Sequence, residues 1–133
     1  MVMPKILVVE DDKSLRLFNE MDLEQAGYQV VTAGNAVEGL EAFATESPDL
    51  VVLDIRMPGM DGLDAMARML DQKPWIPIVL NSAYSSYKDS FLSWGADAYV
   101  IKSSDTRELR AKIRQVLEAR QARVVGHRLP SVA

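Results

Sequence analysis

The stretch LVVLDIRMPGMDG, residues 50–62, ends an apolar run on a carboxylate. Leu50 to Leu53 are typical of a strand buried on both faces. Asp54 is the next residue, and a Pro-Gly turn follows at residues 58 and 59. A charged group at the edge of a core is costly unless it is paired. Asp54 therefore needs a partner or has a chemical role.

Polar side chains also follow three other apolar runs: Glu10, Asp11 and Asp12 after ILVV, Ser82 after IVLN, and Lys102 after AYVI. If these runs are parallel strands of one sheet, their carboxyl ends share one edge. Ligands of open parallel sheets bind at that edge, beside the point where the strand order reverses. We therefore expect acids, one hydroxyl and one ammonium to meet beside Asp54.

The chemistry open to this set is narrow. The carboxylates of Glu10, Asp11 and Asp54 would repel one another by about 1–4 kcal/mol per pair at roughly 4 Å. A hard divalent cation such as Mg²⁺ would relieve that repulsion and bind a phosphoryl group at the same time. Lys102 and Ser82 offer an ammonium and a hydroxyl to phosphoryl oxygens, and a carboxylate is an able covalent acceptor. The residues indicate phosphoryl transfer to Asp54.

Composition limits the classes of protein to consider. A chain of 133 residues is long enough for one compact domain. Its 15 basic and 19 acidic residues give a net charge of −4, which argues against direct binding to nucleic acid. It has no cysteine, and no run predicts a signal peptide or a membrane span. We expect a cytoplasmic protein without membrane contact.

Five apolar runs predict the strands, at 6–9, 28–31, 50–53, 76–80 and 98–101. Helical patterns alternate with them, which favours right-handed crossovers and a parallel sheet covered on both faces. The patterns predict five helices. The first spans 13–26 and ends before Gly27, the second is capped by Asn35 and Glu38, and the third carries Leu63, Met66 and Leu70. A short fourth helix ends at Gly95, and the fifth is capped by Asp105 and Glu108. Residues 120–133 read as a frayed helix end and mobile tail.

The chain resembles the receiver domain of two-component response regulators from about Lys5 to Ala119. The matching pieces are ILVVEDD, DLVVLDIRMPGMDG, the pair Ser82 and Ala83, and AYVIK. In this order and spacing they form a specific pattern. The resemblance implies a receiver domain at 1–119 with an α/β, flavodoxin-like fold in three layers. It implies a doubly wound five-stranded parallel sheet of order 2-1-3-4-5 with five helices.

The resemblance also assigns roles to single residues. It makes Asp54 the phosphoacceptor, with Mg²⁺ held by Glu10, Asp11, Asp54 and the backbone carbonyl of Arg56. Ser82, Ala83 and Lys102 would contact the phosphoryl group, and Tyr99 would be the aromatic side chain whose orientation changes on activation. Asp12 is equally well explained as the cap of the first helix. Tyr99 has a second explanation as a packing residue of the sheet.

As a receiver, the chain would be a phosphoacceptor switch and not an enzyme with an external substrate. The phosphoryl group would come from a histidine kinase or phosphotransfer protein, or from a small donor such as acetyl phosphate. We expect a single-domain regulator that controls a protein partner through the face formed by the fourth helix, the fifth strand and the fifth helix.

The sequence departs from the receiver pattern after Lys102, where Ser103 replaces the usual proline. A cis bond before a residue other than proline costs about 2.5–4 kcal/mol, so we expect a trans bond and a different loop path.

Arg56 and Tyr84 occupy the two positions whose side chains, in receivers, flank the phosphoryl group. Both side chains are bulky enough to shield that group from water, which predicts slow self-dephosphorylation.

Three other functions are compatible with parts of the sequence. A hydrolase with an aspartyl nucleophile, like the haloacid dehalogenases, needs an acid two residues after Asp54, where this chain has Arg56. A flavin carrier needs a glycine- and hydroxyl-rich loop after the first strand, where EDDKS would repel a phosphate. A receiver-like binding module that is never phosphorylated is the strongest alternative, and the full set of site residues argues against it.

Overall fold

The structure is a computed structural model that describes residues 3–87 and 90–132, without the side chains of 87, 92, 93 and 123–132. Its sheet has five strands: β1 Lys5–Val9, β2 Gln29–Ala33, β3 Leu50–Leu53, β4 Ile78–Ser82 and β5 Ala98–Ile101. All pairings are parallel, in the order β2-β1-β3-β4-β5. The predicted order is confirmed, and β1 and β3 lie side by side where the winding reverses.

Within the described residues, four α-helices cover the sheet: α1 Lys13–Gln25, α2 Ala36–Glu46, α3 Gly62–Gln72 and α4 Arg107–Val132. On one face, the side chains of alternate strand residues pack with α2 and α3 around the buried Phe43. On the other face, the intervening strand residues pack with α1 and α4 around Leu23 and Ile113. The result is the predicted three-layer α/β architecture, in which the buried strands are apolar on both sides.

Capping side chains set where the helices near the sheet edge begin. Asp12 accepts the N–H of Leu15 at 3.0 Å and Asn35 accepts the N–H of Glu38 at 2.8 Å, so both predicted caps are confirmed. At the other end of α1, Gly27 has φ +101 and donates to the carbonyl of Glu24. The cap at Asp12 starts α1 directly after the acids that follow β1.

The prediction of five helices is wrong by one. Between β4 and β5 the described residues form two short 3₁₀ turns, Ser85–Tyr87 and Phe91–Trp94, in place of the expected fourth α-helix. This segment is rich in serine, whose hydroxyl competes for backbone hydrogen bonds and weakens a helix. The predicted fifth helix is therefore α4.

Three element boundaries differ from the sequence-based expectations. β4 begins at Ile78 and ends at Ser82, not at 76–80, because Pro77 has no N–H to donate to the ladder. The side chain of Asp105 accepts a hydrogen bond from the N–H of Arg107 at 3.0 Å, where the predicted cap required the N–H of Glu108. α4 continues to Val132, while the mobility predicted for 120–133 and the boundary at 119 stay predictions.

None of the helices within the part of the chain that the structure describes has both the length and the apolar character needed to cross a membrane.

Asn19 is a polar residue inside the layer formed by α1. Its side chain is 3% exposed, and its Nδ2 has no hydrogen-bond partner among the described residues. An unpaired buried amide costs about 1–3 kcal/mol. This buried amide therefore lowers the stability of the fold.

We predict that Asn19→Leu raises the free energy of unfolding by about 1–2 kcal/mol, because it removes the unpaired amide and adds apolar contacts. Urea unfolding followed by circular dichroism measures the change. Asn19→Asp is the matched comparison and should lower stability, because it places a charge at the same buried position. A leucine variant less stable than the wild type would show that the amide has a partner.

Gly62 is the first residue of α3 and lies against the backbone of Asp54. Its N–H donates to the carbonyl of Ile55 at 2.7 Å, and a Cβ at position 62 would lie 1.9 Å from the carbonyl oxygen of Asp54. Neither backbone can move without shifting β3 or α3. A glycine is therefore required for α3 to begin this close to the sheet edge.

We predict that Gly62→Ala lowers the free energy of unfolding by about 3 kcal/mol, because the added Cβ overlaps with the backbone of Asp54. Gly59→Ala is a suitable control. At Gly59 a Cβ meets nothing within 4 Å, and the cost there is the left-handed φ of +81 alone, about 1 kcal/mol. Denaturant midpoints compare the two variants, and an equal loss in both would contradict the close approach at Gly62.

Candidate phosphoryl-transfer and metal site

Glu10 and Asp54 meet at the switch point of the sheet because β1 and β3 end side by side. The N–H of Asp54 donates to the carbonyl of Val9 at 3.1 Å, and the N–H of Glu10 donates to the carbonyl of Ala33 at 3.0 Å. These bonds extend the ladder by one residue and fix both backbones. Glu10 is 2% exposed and Asp54 is 4% exposed. Two carboxylates are thus buried in adjacent positions.

Lys102 supplies a positive charge between these two acids. Its Nζ lies 2.7 Å from Oε1 of Glu10 and 3.0 Å from Oδ2 of Asp54. The strand pairing of β4 with β5 places it there, since the N–H of Lys102 donates to the carbonyl of Ser82 at 2.8 Å. The predicted contact with Asp54 is present, and the shorter contact with Glu10 was not foreseen.

Asp11 completes a cluster of acids. One carboxylate oxygen from each of Glu10, Asp11 and Asp54 lies within 4.8 Å of those of the other two. Three carboxylates and one ammonium leave an excess of negative charge in the cluster. All the donors are hard oxygens, and Asp11 is exposed and so open to solvent. Donor type, spacing and excess charge together fit Mg²⁺, which binds few carboxylates and keeps several waters.

The titration behaviour of the site follows from its burial. Burial raises the pKa of Asp54 above its usual 3.8, although the hydrogen bond and charge of Lys102 lower it, and Asp11 raises it further. Burial likewise raises the pKa of Glu10, against the hydrogen bond from Lys102. For Lys102, burial lowers the pKa, but its two carboxylate partners outweigh this and raise it overall. One ammonium does not balance the acids around it.

Ser82, Tyr84 and Tyr99 form a chain of hydrogen bonds that leads away from the acids. Ser82 is fully buried, and its Oγ accepts the N–H of Tyr84 at 3.1 Å. The carbonyl of Tyr84 accepts a hydrogen bond from the hydroxyl of Tyr99. Tyr99 is itself buried, with its ring centroid 6.0 Å from that of Phe91. Tyr99 is therefore both a packing residue and a donor to the loop after β4.

Arg56 and Ala83 lie next to the site in the chain, and the predicted role of each stays a prediction. The backbone N–H of Arg56 bonds to the carboxyl of Asp54 and helps to lower its pKa. The Arg56 guanidinium carbon lies 5.1 Å from the ring centroid of Tyr84. Coordination through the Arg56 carbonyl stays a prediction. Ala83 is exposed just after β4, and its contact with a phosphoryl group also stays a prediction.

The peptide bond after Lys102 has the geometry expected from Ser103, while the different loop path stays a prediction. The Lys102–Ser103 bond is trans, as are all peptide bonds that the structure describes, and Lys102 still reaches Asp54. The Ser103 Oγ accepts the N–H of Asp105 at 3.0 Å, and Asp105 in turn binds Arg107. Local side-chain bonds of this type order the loop without a proline.

Sequence reasoning missed Arg16. Its Nη1 donates to the carbonyl of Glu10 at 2.8 Å and is 3.5 Å from that of Asp11. The sequence did contain a signal for this contact, because Arg16 lies in the first turn of α1, six residues after Glu10. An arginine there reaches back to the loop that precedes the helix.

A family model described as the response regulator receiver domain matches residues 6–114. Among curated proteins, the chain is 37% identical over 115 residues to the alkaline phosphatase synthesis transcriptional regulatory protein PhoP of Bacillus subtilis, covering 85% of this chain and 48% of that protein. The chain thus spans about half the length of the curated relatives it matches.

Among solved structures, the response regulator TrrA of Thermotoga maritima in complex with Mg²⁺-BeF has a TM-score of 0.81 and 39% identity, over 86% of this chain and 99% of that chain. TrrA in complex with the histidine kinase ThkA matches at a TM-score of 0.79 and 40% identity, over the same shares. Receiver domains bind Mg²⁺ and act as phosphoacceptor switches in phosphorelay signalling. With its sheet order, its acid cluster and these matches, the chain belongs to the response regulator receiver domain family.

Proposed function

We propose that this chain accepts a phosphoryl group on Asp54 from a histidine kinase or phosphotransfer protein in a Mg²⁺-dependent reaction. The observation that carries the proposal is the placement of Asp54: its carboxylate is buried, shares Lys102 with Glu10, and lies in a three-acid cluster. An oxygen of Asp54 forms the new bond to phosphorus as the bond to the donor nitrogen or oxygen breaks.

The residues around Asp54 have separable roles in this proposal. Glu10, Asp11, Asp54 and the carbonyl of Arg56 would hold the cation. When bound, Mg²⁺ would supply charge neutralisation for the phosphoryl oxygens. Lys102 keeps its contact with Glu10 and turns its second contact from Asp54 to a phosphoryl oxygen. The hydroxyl of Ser82 donates to another oxygen, beside the backbone of Ala83.

The conformational change follows the hydrogen-bond chain described above. A shift of Ser82 toward the phosphoryl group moves the N–H of Tyr84, which Ser82 binds. The carbonyl of Tyr84 holds the hydroxyl of Tyr99, so the position of Tyr99 depends on the loop after β4. Phosphorylation then biases a pre-existing equilibrium between two arrangements of this region.

The output surface in this proposal is the face around β5. It consists of the 3₁₀ turn Phe91–Trp94, β5 and α4. The 3₁₀ turn takes the place of the predicted fourth helix, and α4 is the predicted fifth helix. We propose that a protein partner binds this face, with no direct contact between this chain and nucleic acid or membrane. Action as a single-domain regulator in the cytoplasm, with no activity on an external substrate, belongs to the same proposal.

We predict that wild-type protein incubated with Mg²⁺ and acetyl phosphate gains one acid-labile phosphoryl group by intact-mass analysis, and that Asp54→Asn gains none. Chelation of the metal should abolish the gain, because the acid cluster then lacks its counter-charge. Asp71→Asn, which removes an exposed acid at the end of α3, is the matched control and should react like the wild type. A wild-type protein that stays unmodified while binding beryllofluoride weakly or not at all would reject the proposal.

We predict slow self-dephosphorylation, because the Arg56 guanidinium and the Tyr84 ring stack beside the site. Tyr84 is 47% exposed, so its ring lies on the solvent side. The double variant Arg56→Ala, Tyr84→Ala should shorten the half-life of the phosphorylated protein several-fold by opening Asp54 to water. Tyr84→Phe keeps the ring and should leave the half-life unchanged.

The decay of phosphorylated protein after removal of the donor, followed by intact mass, measures these half-lives. Because the two side chains are in contact, each single alanine variant should shorten the half-life nearly as much as the double variant does. A double variant with a half-life equal to that of the wild type would contradict the shielding.

A further inference from the structure

Arg16 joins the loop after β1 to the first helix. It lies in the first turn of α1, and its guanidinium reaches back to the two acids before the helix. Nη1 donates to the carbonyl of Glu10 at 2.8 Å and is 3.5 Å from the carbonyl of Asp11. One rigid, charged donor group thus binds the backbone at two successive acidic residues.

The same guanidinium packs against a second loop. A Cβ at Gly34, in the loop between β2 and α2, would lie 3.0 Å from Nη1 and 3.4 Å from Cζ of Arg16. The N–H of Gly34 donates to Oε2 of Glu38 at 3.0 Å, which fixes that loop to α2. Arg16 therefore fits between the acid loop and a part of the chain that is itself held in place.

The side chain that depends most on this arrangement is that of Asp11. Glu10 is buried, and its carboxylate is bound by Lys102 and by the N–H of Asp12 at 3.1 Å. Asp11 is exposed, so its carboxylate direction depends on its backbone. A fixed backbone at residue 11 lowers the entropy lost when that carboxylate binds a cation.

We propose that Arg16 is a positioning residue for the metal site, which holds the backbone of Glu10 and Asp11 so that the Asp11 carboxylate faces Asp54. This inference rests on the proposed Mg²⁺ role of the acid cluster. Arg16 does not touch the metal or the phosphoryl group in this account. It acts through the two carbonyl groups that its guanidinium binds.

Charge and geometry give opposite expectations for substitutions of Arg16. If the arginine acted only as a nearby positive charge, its removal would strengthen binding of a cation, and a lysine would change nothing. If it positions Asp11, then both losing the charge and exchanging the planar fork for a single ammonium should weaken binding. The sign of the change therefore distinguishes the two roles.

The test is Mg²⁺ binding by the full chain, measured by titration calorimetry with MgCl₂ on the wild type, Arg16→Lys, Arg16→Met and Arg68→Met. Arg68 is exposed on α3, so its variant matches the charge change away from the acid loop. We expect about tenfold weaker binding for both Arg16 variants, as for other residues that orient metal ligands, and no change for Arg68→Met. The backbone N–H signals of residues 11 and 12 should also shift in both Arg16 variants.

Tighter binding by Arg16→Met, or unchanged binding by Arg16→Lys, would overturn the inference. So would a lower melting temperature with unchanged Mg²⁺ affinity, because that result means a purely structural role. If Arg16→Met fails to fold, Arg16→Lys decides alone, since it keeps the charge and most of the side chain. A wild type that binds no Mg²⁺ would overturn the proposed function itself, and this inference with it.

Discussion

The ammonium of Lys102, placed between the buried carboxylates of Glu10 and Asp54, is the interaction on which the rest of the site depends. Two adjacent buried carboxylates repel each other strongly in a medium less polar than water, and each also loses its hydration. One lysine offsets part of this cost and leaves an excess of negative charge once Asp11 is counted. The sheet edge is therefore stable enough to fold, yet its excess of negative charge favours the binding of a further cation. A site balanced in this way suits reversible phosphorylation better than permanent ion pairing.

The fold brings this interaction about through the ends of three strands. β1 and β3 are neighbours at the switch point, and β5 reaches the site through its pairing with β4. Gly62 lets α3 begin against the backbone of Asp54, so the chain leaves the edge without covering it. The loop after β4 connects the same edge to Tyr99, because Ser82 and Tyr99 both bond to the backbone of Tyr84. Ser82, at the end of β4, and the packing around β5 are thus joined by a short path of hydrogen bonds.

Much of this arrangement was predictable, for different reasons in different places. The strands follow from apolar runs, and the sheet order follows from the resemblance to receivers and not from the periodicity. The described residues between β4 and β5 form 3₁₀ turns and not the α-helix that the pattern predicts, because that prediction did not allow for the local serine content. Glu10 as the closer partner of Lys102 was not predictable, because strand position alone does not tell which of two acids an ammonium approaches. Arg16 and Asn19 were missed because the direction of a side chain on α1 decides whether it binds a nearby backbone carbonyl, as Arg16 does, or is buried without a partner, as Asn19 is.

The central claim is that Asp54, and no other acid of the cluster, carries the phosphoryl group. Reduction of the phosphorylated protein with borohydride converts an aspartyl phosphate into homoserine, and peptide mass mapping then locates the modified position. If Asp54 is the phosphoacceptor, homoserine forms at position 54 alone, in a yield that matches the phosphorylated fraction. Homoserine at position 11, or a phosphoryl group that survives acid and resists borohydride, would contradict it.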